Sequence, residues 1–287
     1  MKRQKIVYKN QKQFECKDIF ECGQCFRWHK EEDGSYTGVT SIGVLNVKKV
    51  GEDVTISGDI NDKEDLKSFC DDYFDMSTDY EQIQKEISKN DKTMKDAISF
   101  GGGIRILNQN PWEMLISFII SAANNIPRIS KTIENISKGY GNKVKSDISG
   151  ELREYYLFPS PSQLQKATMS DLRQCNLGFR DKYVYGATKL VYEKEVNLAK
   201  ISELPYGIAK KELLKVSGVG SKVADCILLF SMKKKEAFPV DTWIKQIMNE
   251  VYLDSQNVRK IEEYARDKFG ENAGIAQQYL FYFKREQ

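Results

Sequence analysis

The stretch Leu213-Leu214-Lys215-Val216-Ser217-Gly218-Val219-Gly220-Ser221-Lys222-Val223-Ala224-Asp225, followed shortly by Phe238-Pro239-Val240-Asp241, decides how this chain is read. A Gly-Val-Gly turn lies between two helix-like segments. Gly218 and Gly220 can both take positive φ without steric cost, so the chain reverses tightly and points successive N–H groups outward. Those donors, with the positive end of a helix opening at Ser221, form an anion site that needs no charged side chain. Such a site grips a phosphate and reads no base. An ordinary helix-turn-helix connection, with glycines that only cap the first helix, accounts for the same residues.

Lys222 falls in the first turn of the second helix, where the helix dipole disfavours a protonated ammonium. A neutral amine there is a nucleophile suited to attack on a sugar carbon and to Schiff-base formation. A surface lysine beside a phosphate is the plainer reading of Lys222 alone. A helix from Ser221 to about Met232 carries the chain ~18 Å from the hairpin. The segment from Lys233 to Val240 spans up to ~27 Å when extended, so Asp241 can return beside Lys222. Pro239 halts any continuing helix, and Asp241 is a good N-cap for Thr242 to Met248. Capping alone explains Asp241, yet a carboxylate near a sugar also stabilises oxocarbenium character as a glycosidic bond breaks.

The pairing of Val216-Ser217-Gly218-Val219-Gly220-Ser221-Lys222 with Pro239-Val240-Asp241 resembles the helix-hairpin-helix glycosylase superfamily, most nearly its 8-oxoguanine DNA glycosylases. Further segments carry the resemblance over most of the chain: Gly23-Gln24-Cys25-Phe26-Arg27-Trp28, Asn110-Pro111-Trp112-Glu113, Asn124-Asn125-Ile126-Pro127-Arg128-Ile129, Leu177-Gly178-Phe179-Arg180-Asp181-Lys182-Tyr183-Val184, and Ala273-Gly274-Ile275-Ala276-Gln277-Gln278-Tyr279-Leu280-Phe281. The resemblance implies an enzyme that flips oxidised guanine out of duplex DNA and excises it, with Lys222 as nucleophile and Asp241 in support. Cleavage of the abasic strand by β-elimination follows. It implies that Gly23 offers its carbonyl to the N7 hydrogen that guanine lacks, because the wrong base would then leave a buried polar group unpaired.

By the same resemblance Gln277 and Phe281 read and stack on the extruded base, with Cys226 on its other face. Arg128 and Arg180 hydrogen-bond the orphaned cytosine, Phe179 wedges beside it, and Asn124, Asn125, Gly218, Gly220 and Trp243 face the DNA. A monovalent cation held by the backbone carbonyls of Leu214, Val216 and Val219 is also implied, with no side-chain metal ligand and no required cofactor. Two positions depart from the eukaryotic pattern: Trp243 replaces a phosphate-binding His, and Ala123 replaces an Asn that helps fill the emptied stack. Periodicity agrees only in part. Cys226 lies one helical turn after Lys222, but Val223, Cys226, Ile227 and Phe230 also make an ordinary apolar stripe, and core packing is the plainer reading of Cys226. Gln277 and Phe281, four residues apart, are lifted above a helix-surface pair by the resemblance alone.

At 287 residues the chain suggests about two domains. Its net charge of +3 hides a division: residues 51–98 hold 14 Asp/Glu and 6 Lys/Arg. That asymmetry suits one surface facing DNA and another turned away, or simply a solvated acidic face. Six cysteines and a polar start, Met1-Lys2-Arg3-Gln4-Lys5, lead to the expectation of reduced thiols and an intracellular, DNA-associated monomer, cytoplasmic or at the nucleoid if bacterial, with no membrane partner. Cys22-Gly23-Gln24-Cys25 has redox or zinc spacing, but no second pair follows, and strand-like Phe26-Arg27-Trp28 stands where a redox helix should begin. No cysteine follows Cys226, which excludes the four-cysteine iron–sulfur loop of related endonucleases and adenine glycosylases. The single histidine, His29, excludes His-based triads and multi-His metal sites.

The expected fold is α+β: an N-terminal antiparallel β-sheet domain over 1–98 packed on a mainly helical domain over 99–287, with the helix-hairpin-helix at about 208–232. Gly43 to Val50 and Val54 to Ser57 predict a hairpin turning at Gly51-Glu52-Asp53, and Asp62 to Ile98 predicts charged helix. Asn110 before Pro111 and Ser160 before Pro161 predict helix starts. The active site is expected in the cleft between the domains. Two other functions fit parts of the pattern: an alkylated-base glycosylase of the same superfamily that uses Asp241 without a lysine nucleophile, and a non-catalytic helix-hairpin-helix DNA-binding module.

Overall fold

The computed structural model describes residues 1–287. Strand β1 (Lys2–Tyr8) is followed by helix α1 (Cys16–Glu21), and β2 (Trp28–Lys30), β3 (Tyr36–Thr40), β4 (Gly43–Val50) and β5 (Asp53–Ile60) complete an antiparallel sheet of order β1-β5-β4-β3-β2. The β4–β5 hairpin turns where Gly51 takes φ +62°. Leu45, Val47, Val54 and Ile56 reach zero exposure in the core of this sheet. Burial of each stabilises the fold by about 1.5–3 kcal/mol.

Three short helices follow: α2 (Leu66–Tyr73), α3 (Tyr80–Ile87) and α4 (Lys92–Gly101). Three of the acidic residues here serve local structure, since Asp65, Asp79 and Asp91 each cap one of these helices by accepting a backbone N–H three residues on. The side chains do not divide at a single position, since Leu107 packs in the sheet core. Tyr80, Ile87, Met94 and Ala97 pack into the helical core, while Phe74 still belongs to the sheet core.

The helical part begins with α5 (Pro111–Ser121) and α6 (Ile126–Tyr140), capped by Asn110 and Asn125. A second sheet, β6 (Lys143–Ser146) paired with β7 (Arg153–Tyr156), stands where the sequence predicts no strands. Its residues, Lys-Val-Lys-Ser and Arg-Glu-Tyr-Tyr, lack the apolar alternation that marks a half-buried strand, so nothing local announces it. Helices α7 (Pro161–Leu164), α8 (Met169–Gln174), α9 (Asp181–Tyr192) and α10 (Leu198–Glu203) lead to α11 (Tyr206–Leu213) and α12 (Ser221–Ser231), the two arms of the hairpin. Helices α13 (Thr242–Ile247), α14 (Val258–Phe269) and α15 (Ala273–Arg285) close the fold.

Gly218 takes φ +90° in the hairpin, but Gly220 does not: it has φ −92° and ψ −179°, an extended conformation open to any residue, and caps α12. The reversal therefore needs one left-handed residue. A Cβ at 218 would lie 2.7 Å from the Cβ of Tyr183, so α9 packs directly against the turn.

Sheet and helices are joined by amide hydrogen bonds around Gln24, which is fully buried. Its Nε2 donates to the carbonyls of Ile19 and Arg105 at 2.9 Å, and its Oε1 accepts the Leu107 N–H at 2.9 Å. Cys22 and Phe26 belong to the helical core although they lie between strands β1 and β2 of the sheet. The segment after α1 is thereby threaded into the seam between domains, which brings Gly23 to α12 and α15.

Candidate active site

A pocket opens in that seam, lined by Gly23, Lys222, Cys226, Asp241, Gln277 and Phe281, with Phe118, Phe230, Pro239 and Gln278 completing the wall. Residues more than 250 positions apart in sequence thus share one cavity, as the cleft expectation requires. The larger hollow beside Thr37 and Lys131 contains neither Lys222 nor Asp241.

Lys222 is in the first turn of α12, half-buried, its Nζ 5.3 Å from the Phe118 ring centroid. That aromatic face is a favourable seat for a cation and an apolar wall for the amine. Asp241 arrives as the sequence predicts: the chain leaves α12 at Ser231, returns through Pro239, and Asp241 caps α13 by accepting the Ile244 N–H at 2.8 Å. Burial pushes its carboxyl above the usual range, opposed by that N–H and by the charge of Lys222. The two side chains line the same pocket, coupled by charge and not by a hydrogen bond.

Cys226 is buried among Val223, Ile227 and Phe230, and burial pushes its thiol up to about 11. Core packing and pocket lining are therefore both true of it. Cys22 and Cys25 are also buried, unpaired by any disulfide and raised by burial, Cys22 to about 11. Thiols so protected from ionisation are poor nucleophiles and poor metal ligands at neutral pH.

Gly23 takes φ +88°, and a Cβ there would meet Arg285 Nη1 at 2.8 Å and the Phe281 ring at 3.2 Å. The backbone conformation demands glycine, and a side chain there would displace the Arg285 guanidinium. Gln277 is 4 % exposed, and its Oε1 is buried without a partner, a polar group held ready in the pocket wall. Phe118 and Phe230 were not among the expected site residues. They stack at 5.6 Å centroid separation inside runs of apolar helix, where nothing in the sequence separates a pocket wall from ordinary core.

A second group gathers around the ends of α5, α6 and α9. Phe179 is 59 % exposed. Arg128 is exposed and its guanidinium has no partner in the protein, whereas Arg180 is buried and donates to the carbonyls of Ala122 and Ala123. Those carbonyls sit at the open C-terminal end of α5, where helix oxygens have no intrahelical donor. Arg180 is thus a brace for this turn, and Arg128 is the arginine with free donors. Asn124 also braces, giving Nδ2 to the Ile120 carbonyl at 3.0 Å, while Asn125 caps α6. Ala123 holds φ +48°, a conformation in which Asn is the commoner residue. Trp243 is 40 % exposed at the start of α13.

Residues 6–115 match the family model of the 8-oxoguanine DNA glycosylase N-terminal domain, and residues 116–271 match that of the HhH-GPD superfamily base excision DNA repair proteins. A probable N-glycosylase/DNA lyase of Methanothermobacter thermautotrophicus is 35% identical over 72% of this chain and 71% of its own length. The N-glycosylase/DNA lyase of Saccharomyces cerevisiae is 30% identical over 86% of this chain and 70% of its own. The crystal structure of Clostridium acetobutylicum 8-oxoguanine glycosylase/lyase, in complex with duplex DNA containing cytosine opposite 8-oxoguanine, superposes with a TM-score of 0.93 at 45% identity, covering 99% of this chain and 97% of that one. At 19% identity the 3-methyladenine DNA glycosylase of Archaeoglobus fulgidus shares the fold, with a TM-score of 0.75 over 99% of this chain and 98% of that one. The chain belongs to the HhH-GPD superfamily of base excision DNA repair proteins, in its 8-oxoguanine DNA glycosylase branch.

Proposed function

We propose that this protein excises 8-oxoguanine from duplex DNA and cleaves the resulting abasic strand. The observation that carries the proposal is the meeting of Lys222, Asp241, Gly23, Gln277 and Phe281 around one pocket, which supports its reading as the seat of an extruded base. The Lys222 amine bonds to C1′ as the N9–C1′ bond breaks, and the base leaves with that electron pair and takes up a proton. Asp241 stabilises the positive charge that develops on the sugar. Opening of the sugar ring converts the adduct to a Schiff base, and loss of a C2′ proton then expels the 3′ phosphate.

Gly23 supplies the acceptor for the N7 hydrogen, Gln277 the polar edge contact, and Phe281 and Cys226 the two faces between which the base is held. Phe179 fills the gap left in the duplex, with Arg128 and, on release from its brace, Arg180 donating to the orphaned base. Asn124 and Asn125 shape the turn that presents them. Gly218 and Gly220 grip a phosphate through the backbone, with Trp243 beside it. A monovalent cation at the hairpin would be held by the carbonyls of Leu214, Val216 and Val219. The Val216 carbonyl accepts the Val219 N–H at 3.0 Å and keeps a second lone pair for such an ion.

Borohydride added during turnover is expected to trap a covalent protein–DNA adduct, and Lys222→Gln to abolish both trapping and nicking. A Lys222→Gln protein that still nicks an 8-oxoguanine duplex sinks the lysine mechanism. Excision of 3-methyladenine in preference to 8-oxoguanine would instead favour an alkylated-base enzyme.

A further inference from the structure

The chain leaves α1 at Glu21 and presents four consecutive carbonyls to the seam. Three are taken. Arg285 Nη2 donates to the Glu21 carbonyl at 2.6 Å, Gln278 Nε2 to that of Cys22 at 2.7 Å, and Gln109 Nε2 to that of Gln24 at 2.8 Å. The carbonyl of Gly23 alone accepts no hydrogen bond from the protein. We propose that Gln278 and Arg285 are positioning residues that hold the Gly23 carbonyl as the pocket's free acceptor and so set the preference for an oxidised base over guanine. The proposal rests on the reading of Gly23 given above.

The bonds from Gln278 and Gln109 pin the peptide planes on either side of the one that carries the Gly23 oxygen. Glycine has no side chain to restrict that plane, so without its neighbours' bonds it can rotate at little cost. A fixed oxygen meets the N7–H of 8-oxoguanine as an acceptor, but meets the N7 lone pair of guanine as a second acceptor, and the mismatch must be borne. An oxygen free to turn aside avoids the mismatch. Discrimination thus depends on rigidity as well as on the presence of the carbonyl.

Arg285 adds a second restraint. Its guanidinium lies 5.4 Å from the Phe281 ring centroid, and its buried Nη1, which has no acceptor, fills the space a Cβ on residue 23 would need. Residue 278 is 2 % exposed, two helical turns before Arg285 on the same face of α15, and its amide nitrogen donates to the Cys22 carbonyl. Gln278 and Arg285 stand on α15 and Gln109 stands just before α5, so the turn is held from two sides.

The test compares affinity for a duplex carrying an uncleavable 8-oxoguanine nucleotide with affinity for the same duplex carrying guanine. Gln278→Leu and Arg285→Met are each expected to lower that ratio about tenfold, and Arg285→Lys, which keeps a donor, to restore part of it. In Arg285→Met the β-elimination rate on a preformed abasic site, which contains no base to read, is expected to stay within about twofold of wild type. A ratio unchanged in both variants overturns the proposal, as does a ratio that falls only together with the abasic-site rate. Wild-type protein with no preference between the two duplexes would instead overturn the underlying reading of Gly23.

Discussion

One oxygen of the Asp241 carboxylate is engaged by the Ile244 N–H at 2.8 Å, and burial holds the group above the usual carboxylate range. Activity that needs this carboxylate ionised rises as pH climbs through its raised pKa, so the acid limb of the single-turnover excision rate is expected above that of an ordinary aspartate. Asparagine caps a helix about as well as aspartate. Asp241→Asn should therefore keep its Tm while excision falls about 100-fold or more. A variant that retains the rate would leave Asp241 as a cap only. The carboxylate's helix-capping role was legible from Pro239 and the residues after it; its burial was not, because the walls come from α5 and α15.

The hairpin separates folding from binding at its two glycines. Gly218→Ala forces an alanine to φ +90° and places its Cβ 2.7 Å from Tyr183, a cost of about 1–3 kcal/mol in stability. Gly220→Ala meets no heavy atom within 4 Å at φ −92°, so denaturant unfolding should shift by no more than about 1 kcal/mol. Its methyl would instead stand on the face the hairpin offers to a phosphate, and duplex affinity is expected to fall about tenfold. Equal affinity for the two proteins would remove the phosphate grip from this turn. Helices α11 and α12 and the β4–β5 hairpin were readable from periodicity and glycine placement. The β6–β7 pair was not, since Ser146 is buried by its neighbour Asp59 on β5 and by no pattern of its own.

Across the whole molecule, Asp59 ties three strands. It accepts Arg3 Nε of β1 at 2.7 Å and Ser146 Oγ of β6 at 2.6 Å, and the Arg3 bond holds its carboxyl below the usual range. A lowered folded-state pKa means the unfolded chain binds more protons near pH 4. The stabilisation is therefore complete above the unfolded value and is lost as pH falls through the folded one. With Arg3 half exposed, Asp59→Asn should cost about 1 kcal/mol at pH 7. The gap from wild type should narrow below about pH 4, as followed by urea unfolding. A gap that widens on acidification contradicts this coupling. The sequence by itself determined the two-part α+β plan, the hairpin, and the helix-start places of Lys222 and Asp241, because glycines, caps and helical periodicity act over a few residues. Only the tertiary structure decided that Arg180 braces a turn, that Phe118 walls the pocket, and that the Gly23 carbonyl is left without a donor. Each of those depends on which groups from distant parts of the chain meet, and that is settled when the sheet closes on the helices.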